Sequence, residues 1–229
     1  MQPFDKEYVC GIAKQILNID SPTGYTKRAI DFMDEEAKKL GYTTGRNQKG
    51  NLLIYVDGKD SEHTLGLSAH LDTLGLMVRS IKDNGKLAIT KVGGPCLPTL
   101  DGEYCKIYTR DGKVYTGTIL SCSPSVHVYP DASTLERKED TMEVRIDEVV
   151  HSKADVEKLG INNGDFICID TKTQITESCV NMLFTINYNT KNTLFIKNYR
   201  SMLMKTRILF LLVFVAFCCS SAMAQIQQI

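Results

Sequence analysis

Leu65–Gly66–Leu67–Ser68–Ala69–His70–Leu71–Asp72 is an apolar run that closes on a histidine and an aspartate two positions apart. A short apolar run bounded by turn formers predicts a buried strand, read here over Thr64 to Ala69. Residues i and i+2 of an extended chain point to the same side, so His70 and Asp72 converge where that strand ends. A neutral imidazole is a good ligand for zinc or cobalt. A carboxylate beside it fixes the ring tautomer or helps to shape a metal site. Ligands at the C-terminal end of a parallel strand sit where open sheets place their sites, and Gly75 permits a close backbone approach. On spacing alone, a His-x-Asp pair is more often a hydrogen-bonded pair than a metal site.

Upstream, Val9, Ile12, Ala13, Ile16 and Leu17 recur at helical spacing, which predicts a helix over Tyr8 to Leu17. Ser21–Pro22–Thr23–Gly24 stops it. Ala29, Ile30, Met33, Ala37 and Leu40 predict a second helix from Thr26, ended by Gly41. Lys49–Gly50–Asn51 is a turn, and Leu52 to Val56 is a strand. Two helices followed by central strands imply a layered α/β body.

After Gly75 the pattern changes to short strands at Leu76–Ser80, Leu87–Lys91, Tyr104–Thr109, Val114–Leu120, Met142–Ile146 and Phe166–Asp170. Asn84–Gly85 and Asp111–Gly112 lie between strand pairs as hairpin turns do. Ser152 caps a short helix that ends at Gly160, with Asp155 at its third position. The stretch from Leu76 to Asp170 therefore reads as a small β-barrel or sandwich. Pro124 to Lys138 reads as a long loop that lines a pocket or packs against a partner, or else makes a mobile surface excursion.

The chain has 229 residues, with 27 Lys plus Arg against 27 Asp plus Glu, so no broad basic surface invites nucleic acid. Its eight cysteines are scattered, and the first six form no C-x-x-C pair, which favours free thiols and a cytoplasmic setting for the main body. His63 reads as an exposed turn residue, and His127 and His151 have no ligand-like neighbours. Glu35–Glu36 reads as the wet face of the second helix. Asp131, Glu136, Glu139 and Asp140, mixed with Arg137 and Lys138, read as a solvated run.

Ala69–His70–Leu71–Asp72–Thr73–Leu74–Gly75–Leu76–Met77–Val78 closely resembles the signature of the cytosolic dinuclear metallo-aminopeptidases. That family includes glutamyl aminopeptidase, the tetrahedral aminopeptidases and proteins once labelled endoglucanase. Ser21–Pro22–Thr23–Gly24, Gly50–Asn51–Leu52, Val92–Gly93–Gly94, Tyr115–Thr116–Gly117, Ile146–Asp147 and Gly164–Asp165 match in order, so the resemblance covers about Tyr8 to Glu177. It implies an α/β fold: the N-terminal part of a zinc-peptidase (phosphorylase/hydrolase-like) catalytic domain, with an inserted β-barrel-like dimerisation domain that builds homo-oligomers.

The resemblance also implies two divalent metal ions, zinc or cobalt, a glutamate base, and metal-hydroxide hydrolysis of the N-terminal bond of peptides. His70 matches the first metal ligand. Asp72 matches the catalytic aspartate that supports the metal site. Thr73 stands where the family usually has glutamate. From Val180 onward there is no acidic residue and no histidine, so the bridging aspartate, the paired glutamates that include the general base, a further aspartate and a late histidine that the resemblance implies have no counterpart. At most a partial metal site is expected.

Met204 to Ala224 has the parts of an export signal: Lys205 and Arg207, an apolar core from Ile208 to Cys219, and Ala222–Met223–Ala224. Its position suggests a truncated or frameshifted chain. Four segments are expected: catalytic residues 1–75, an inserted oligomerisation domain at 76–172, a spacer at 173–203, and an apolar tail at 204–229. Membrane association is expected only through 204–224. The functional expectation is a metallo-aminopeptidase by family, inactive in this form. The alternative is a non-catalytic oligomerisation fragment that binds full-length relatives. No paired carboxylates are placed for glycoside chemistry.

Overall fold

Asp5 caps the first helix, α1 (Lys6–Leu17), by accepting the Tyr8 backbone N–H at 2.9 Å. The second helix, α2 (Lys27–Lys39), ends at Leu40, and Gly41 follows with φ 84°. Ile12, Ile16 and Leu17 of α1 and Ala29, Ile30, Met33 and Ala37 of α2 share one core with Leu52, Ile54 and Leu71. Their spacing on each helix is the apolar stripe that the sequence shows. The computed structural model describes residues 5–58, 64–175, 180–182, 193–197 and 227–228.

Four strands form the sheet under these helices: β1 (Thr43–Arg46), β2 (Leu52–Tyr55), β4 (Ser68–His70) and β13 (Thr193–Lys197). Their order is β1-β2-β13-β4. Between β2 and β4 in sequence lies β3 (Leu65–Gly66), so the strand expected over Thr64 to Ala69 is divided at Leu67. β13 runs parallel to β2 and antiparallel to β4, with Thr193 opposite His70. The strand carrying His70 is therefore antiparallel to its neighbour. This corrects the expectation of a parallel strand: the rule for parallel sheets does not account for the position of His70.

Among the described residues eight further strands follow β4 before β13: β5 (Gly75–Ile81), β6 (Leu87–Val92), β7 (Tyr104–Tyr108), β8 (Val114–Ser121), β9 (Met142–Ile146), β10 (Phe166–Ile169), β11 (Thr173–Ile175) and β12 (Val180–Met182), the last paired with β11. Strands β5 to β10 close into a barrel in the order β10-β5-β6-β9-β8-β7. Leu76, Val78, Leu87, Ile89, Ile107, Ile119, Val144 and Ile167 fill its interior and are almost fully buried. Each such side chain contributes about 2 kcal/mol by leaving water. The chain divides into two compact units, Leu74–Asp170 and the pair Met1–Thr73 with Thr171–Ile229.

Ser152 caps α3 (Lys153–Leu159) by accepting the Asp155 N–H, and Gly160 ends the helix at φ 90°. The 124–138 loop is not a loose excursion. Arg137 ties it down through Asp101 Oδ2 at 2.9 Å and the Ala132 carbonyl at 2.8 Å. Glu139 is likewise engaged, accepting the Lys91 N–H at 2.6 Å and the Thr90 hydroxyl at 2.9 Å. Glu36 departs from the wet-face expectation too. It is buried on α2, and Lys39 reaches it at 2.5 Å.

The expected membrane association through 204–224 is corrected. No helix among the described residues is long and apolar enough to cross a membrane. Residues 204–224 themselves lie outside the described residues, as does His63.

Inside the barrel unit one carboxylate carries two lysines. Glu143 on β9 is buried, and Lys82 and Lys86, on either side of the β5–β6 turn, reach it at 2.7 and 2.5 Å. Burial pushes the Glu143 carboxyl up, but the hydrogen bonds and charges of the two lysines outweigh it and hold the group below its ordinary range. A depressed folded pKa adds stability that is present above the unfolded value and is lost as pH falls through the folded one. Glu143→Gln is expected to destabilise the barrel by about 1–3 kcal/mol at neutral pH, with the gap to wild type closing in acid. Urea melts at about pH 7 and about pH 3 check both parts.

Candidate metal centre

Leu71 drives the geometry at the end of β4. Its side chain is buried in the core with Ile16, Ala29 and Met33. The alternation of an extended chain then turns His70 and Asp72, on either side of it, the opposite way. Both are themselves buried, at 8% and 3% exposure. The convergence expected of the pair is present: His70 Nδ1 lies 3.1 Å from Asp72 Oδ1 and 3.3 Å from the Asp72 backbone oxygen.

Those two neighbours are both acceptors. A bare Nδ1 lone pair would face two oxygens, so Nδ1 carries the proton and donates. In the neutral ring this leaves the lone pair on Nε2, the form in which an imidazole ligates a metal. Both hydrogen bonds of His70 among the described residues are at Nδ1.

The turn between the two helices holds this strand end from outside. Tyr25 N–H donates to the Pro22 carbonyl at 2.7 Å, and Gly24, at φ 93°, takes the third position of the turn. Ser21 Oγ donates to the Leu71 carbonyl at 3.0 Å, and Thr73 N–H donates to the Ser21 carbonyl at 2.8 Å. Pro22 and Thr73 form a parallel bridge. Thr23 Oγ1 donates to Asp72 Oδ2 at 2.5 Å. Ser21 and Thr23 were legible as helix-stopping turn residues and as one landmark of the family resemblance, not as partners of the strand end. Nothing local points from Thr23 to a partner 49 positions away.

The other candidate residues do not join this group. His127 and His151 are exposed and lie in the barrel unit. Glu35 is exposed on α2. Cys105 is buried in the barrel, and burial first, then nearby Asp147 and Asp170, push its thiol up to about 12, so it stays protonated and unreactive. No set of three or more His, Cys, Asp or Glu able to hold a metal gathers among the described residues. The donor chemistry fits one ligand, His70 Nε2. It does not amount to a full coordination sphere.

A family model described as M42 glutamyl aminopeptidase matches residues 50–182, more than half of the chain. The chain belongs to the M42 aminopeptidase family. The Bacillus subtilis protein named "Putative aminopeptidase YhfE" is 45% identical over 167 residues, covering 73% of this chain and 48% of that protein. This chain spans about half the length of that relative and of the Lactococcus lactis glutamyl aminopeptidase. Among solved structures, aminopeptidase APDkam598 of Desulfurococcus kamchatkensis superposes with a TM-score of 0.63 at 20% identity, over 85% of this chain and 56% of that one. The TET1 peptidase of Pyrococcus horikoshii, described as assembling into a tetrahedron or a large octahedral shell, gives 0.59 at 19% identity, over 82% and 60%. These structural likenesses carry the M42 fold, its closed barrel included.

Removing the Ser21 hydroxyl leaves the buried Leu71 carbonyl short of its side-chain donor. Ser21→Ala is expected to cost about 1–2 kcal/mol of stability. Amide exchange at Thr73 should quicken in the same variant. A thermal melt with hydrogen exchange checks this, and an unchanged Thr73 amide would show that the turn does not hold the strand end.

Proposed function

We propose that the chain carries one edge of an M42 metallo-aminopeptidase centre, with His70 as a metal ligand and Asp72 as its support. The single observation behind this reading is the His70–Asp72 geometry: two acceptors at Nδ1 commit the proton there and leave Nε2 to bind. A zinc or cobalt ion, when bound, supplies Lewis acidity toward the N-terminal bond of a peptide. The chain's own part is to present the imidazole and hold its proton on Nδ1. Asp72 has one oxygen beside His70 and the other taken by Thr23, so it orients the ring and does not itself ligate.

No acidic residue or histidine follows Val180, and the described residues assemble no further ligand set. We therefore infer at most one divalent cation per chain and little or no peptide hydrolysis by this chain alone. Cobalt titration of the purified chain, followed by visible absorption and calorimetry, should show a His70-dependent site that His70→Ala abolishes. N-terminal residues should be released from test peptides of varied sequence no faster than with free cobalt. Cobalt uptake unaffected by His70→Ala would remove the ligand assignment. Metal-dependent turnover by the chain alone would remove the inference of inactivity.

A second reading draws on the closed barrel of Leu74–Asp170, a unit with its own filled interior. We infer that this unit serves self-association, as the description of the TET1 peptidase as a shell suggests. Sedimentation across a range of concentrations should then show mass rising above the monomer. A constant monomer mass would argue against it.

A further inference from the structure

We propose that Thr23 is a positioning residue for the metal ligand, acting through Asp72 to fix the tautomer of His70. The inference rests on the metal reading of His70 and names the residue that keeps that imidazole ready to bind.

A carboxylate two residues from a histidine has rotational freedom about its own side chain. Oriented one way, it accepts from Nδ1. Turned away, it leaves Nδ1 with only the more distant backbone oxygen, at 3.3 Å. The preference for a proton on Nδ1 is then much weaker. Thr23 removes that freedom. Its hydroxyl donates to Oδ2 at 2.5 Å, while Oδ1 sits 3.1 Å from His70 Nδ1. The two oxygens are thus divided between two donors, and the carboxyl plane is set by both.

Thr23 is itself held. It is the second residue of the turn closed by the Tyr25 N–H and the Pro22 carbonyl. That turn is fastened to β4 at Ser21, Leu71 and Thr73. Thr23 therefore approaches Asp72 from a backbone that is already fixed in place. It also lies outside the metal-ligand set: among the described residues its hydroxyl is spent on the Asp72 carboxylate. The assembled chain of contacts runs from the turn through Thr23 and Asp72 to the ring, and ends at Nε2.

Valine matches threonine in shape and lacks the donor. Thr23→Val should shift the His70 ring nitrogens away from the Nδ1–H pattern in nitrogen-15 NMR of the metal-free chain. It should also weaken cobalt binding by about 10–100-fold, the usual effect of losing a partner behind a ligand. Thr23→Ser, which keeps the hydroxyl, should restore both. A role confined to packing would lower the melting temperature without moving the ring nitrogens, and would overturn the proposal. If cobalt binds at His70 and Thr23→Val changes neither the nitrogen shifts nor the affinity, the proposal fails while the metal reading stands. If the shifts move but the wild-type chain takes up no cobalt at His70, the metal reading fails and the positioning role remains. Should Thr23→Val not fold, the wild-type spectrum still decides: a proton found on Nε2, with Nδ1 bare, overturns the proposal.

Discussion

Leu71 is used twice. Its side chain closes the core between α1, α2 and the sheet, and its carbonyl accepts the hydroxyl of Ser21. The side chain fixes which way the strand end faces. The carbonyl fixes how far it sits from the turn between the helices. Together they turn His70 and Asp72 the opposite way from Leu71 and bring Asp72 close enough to Thr23 for a hydrogen bond. The site chemistry is thus a consequence of core packing: a polar pair is presented where it is because an apolar residue between them has nowhere else to go. Truncating Leu71 would open a cavity among Ile16, Ala29 and Met33 and loosen the ligand at the same time.

Much of this was legible in the residues themselves, and the reasons differ by element. The apolar spacings of α1 and α2 are strong because one face of each helix meets a core and the other meets water. The barrel strands could be read because Gly85 and Gly112 sit in tight turns at φ 80° and 86°, and short apolar-rich runs flank them. β1 was not legible. Thr43–Arg46 has no alternation of burial, and it is held to α2 by Arg46 with Asp31 and Asp34 at 2.8 and 3.1 Å and by Thr44 with Asp34 at 2.6 Å. Such pairings connect residues far apart in sequence, and no local pattern encodes them. Glu36 was misread for a related reason. A glutamate in an amphipathic helix looks solvated, yet Glu36 is buried while the exposed Lys39 supplies its counter-charge at 2.5 Å.

The strand β13 was hidden for another reason. Thr193–Lys197 lies in a stretch rich in asparagine and lysine, with only Leu194, Phe195 and Ile196 to suggest a strand. Its place is set by the unpaired edges on both sides. β2 and β4 each present a row of backbone donors and acceptors, and a strand between them satisfies both. Backbone pairing tolerates many sequences, so the position can be filled by residues whose side chains carry no metal ligand and no base. That separates two properties easily taken as one. Sheet continuity beside His70 depends on main-chain hydrogen bonds, whereas catalysis at that edge depends on which side chains the neighbouring strand brings.

The same separation applies to the His-x-Asp pair. A hydrogen-bonded structural pair and a metal ligand with its support share the contact at Nδ1, so spacing cannot tell them apart. The difference lies at the two far ends of the arrangement. At one end, a structural pair needs nothing behind the aspartate, yet here Thr23 holds Oδ2 from a turn that is itself bolted to the strand. At the other end, a structural histidine gains by donating or accepting at both nitrogens, yet both of the bonds His70 makes among the described residues fall on Nδ1. Fixing one side of a buried ring so firmly gives little stability that a plain apolar residue would not also give. It does prepare the other side to bind, because a ligand whose orientation and tautomer are set in advance loses less freedom when it takes up a cation.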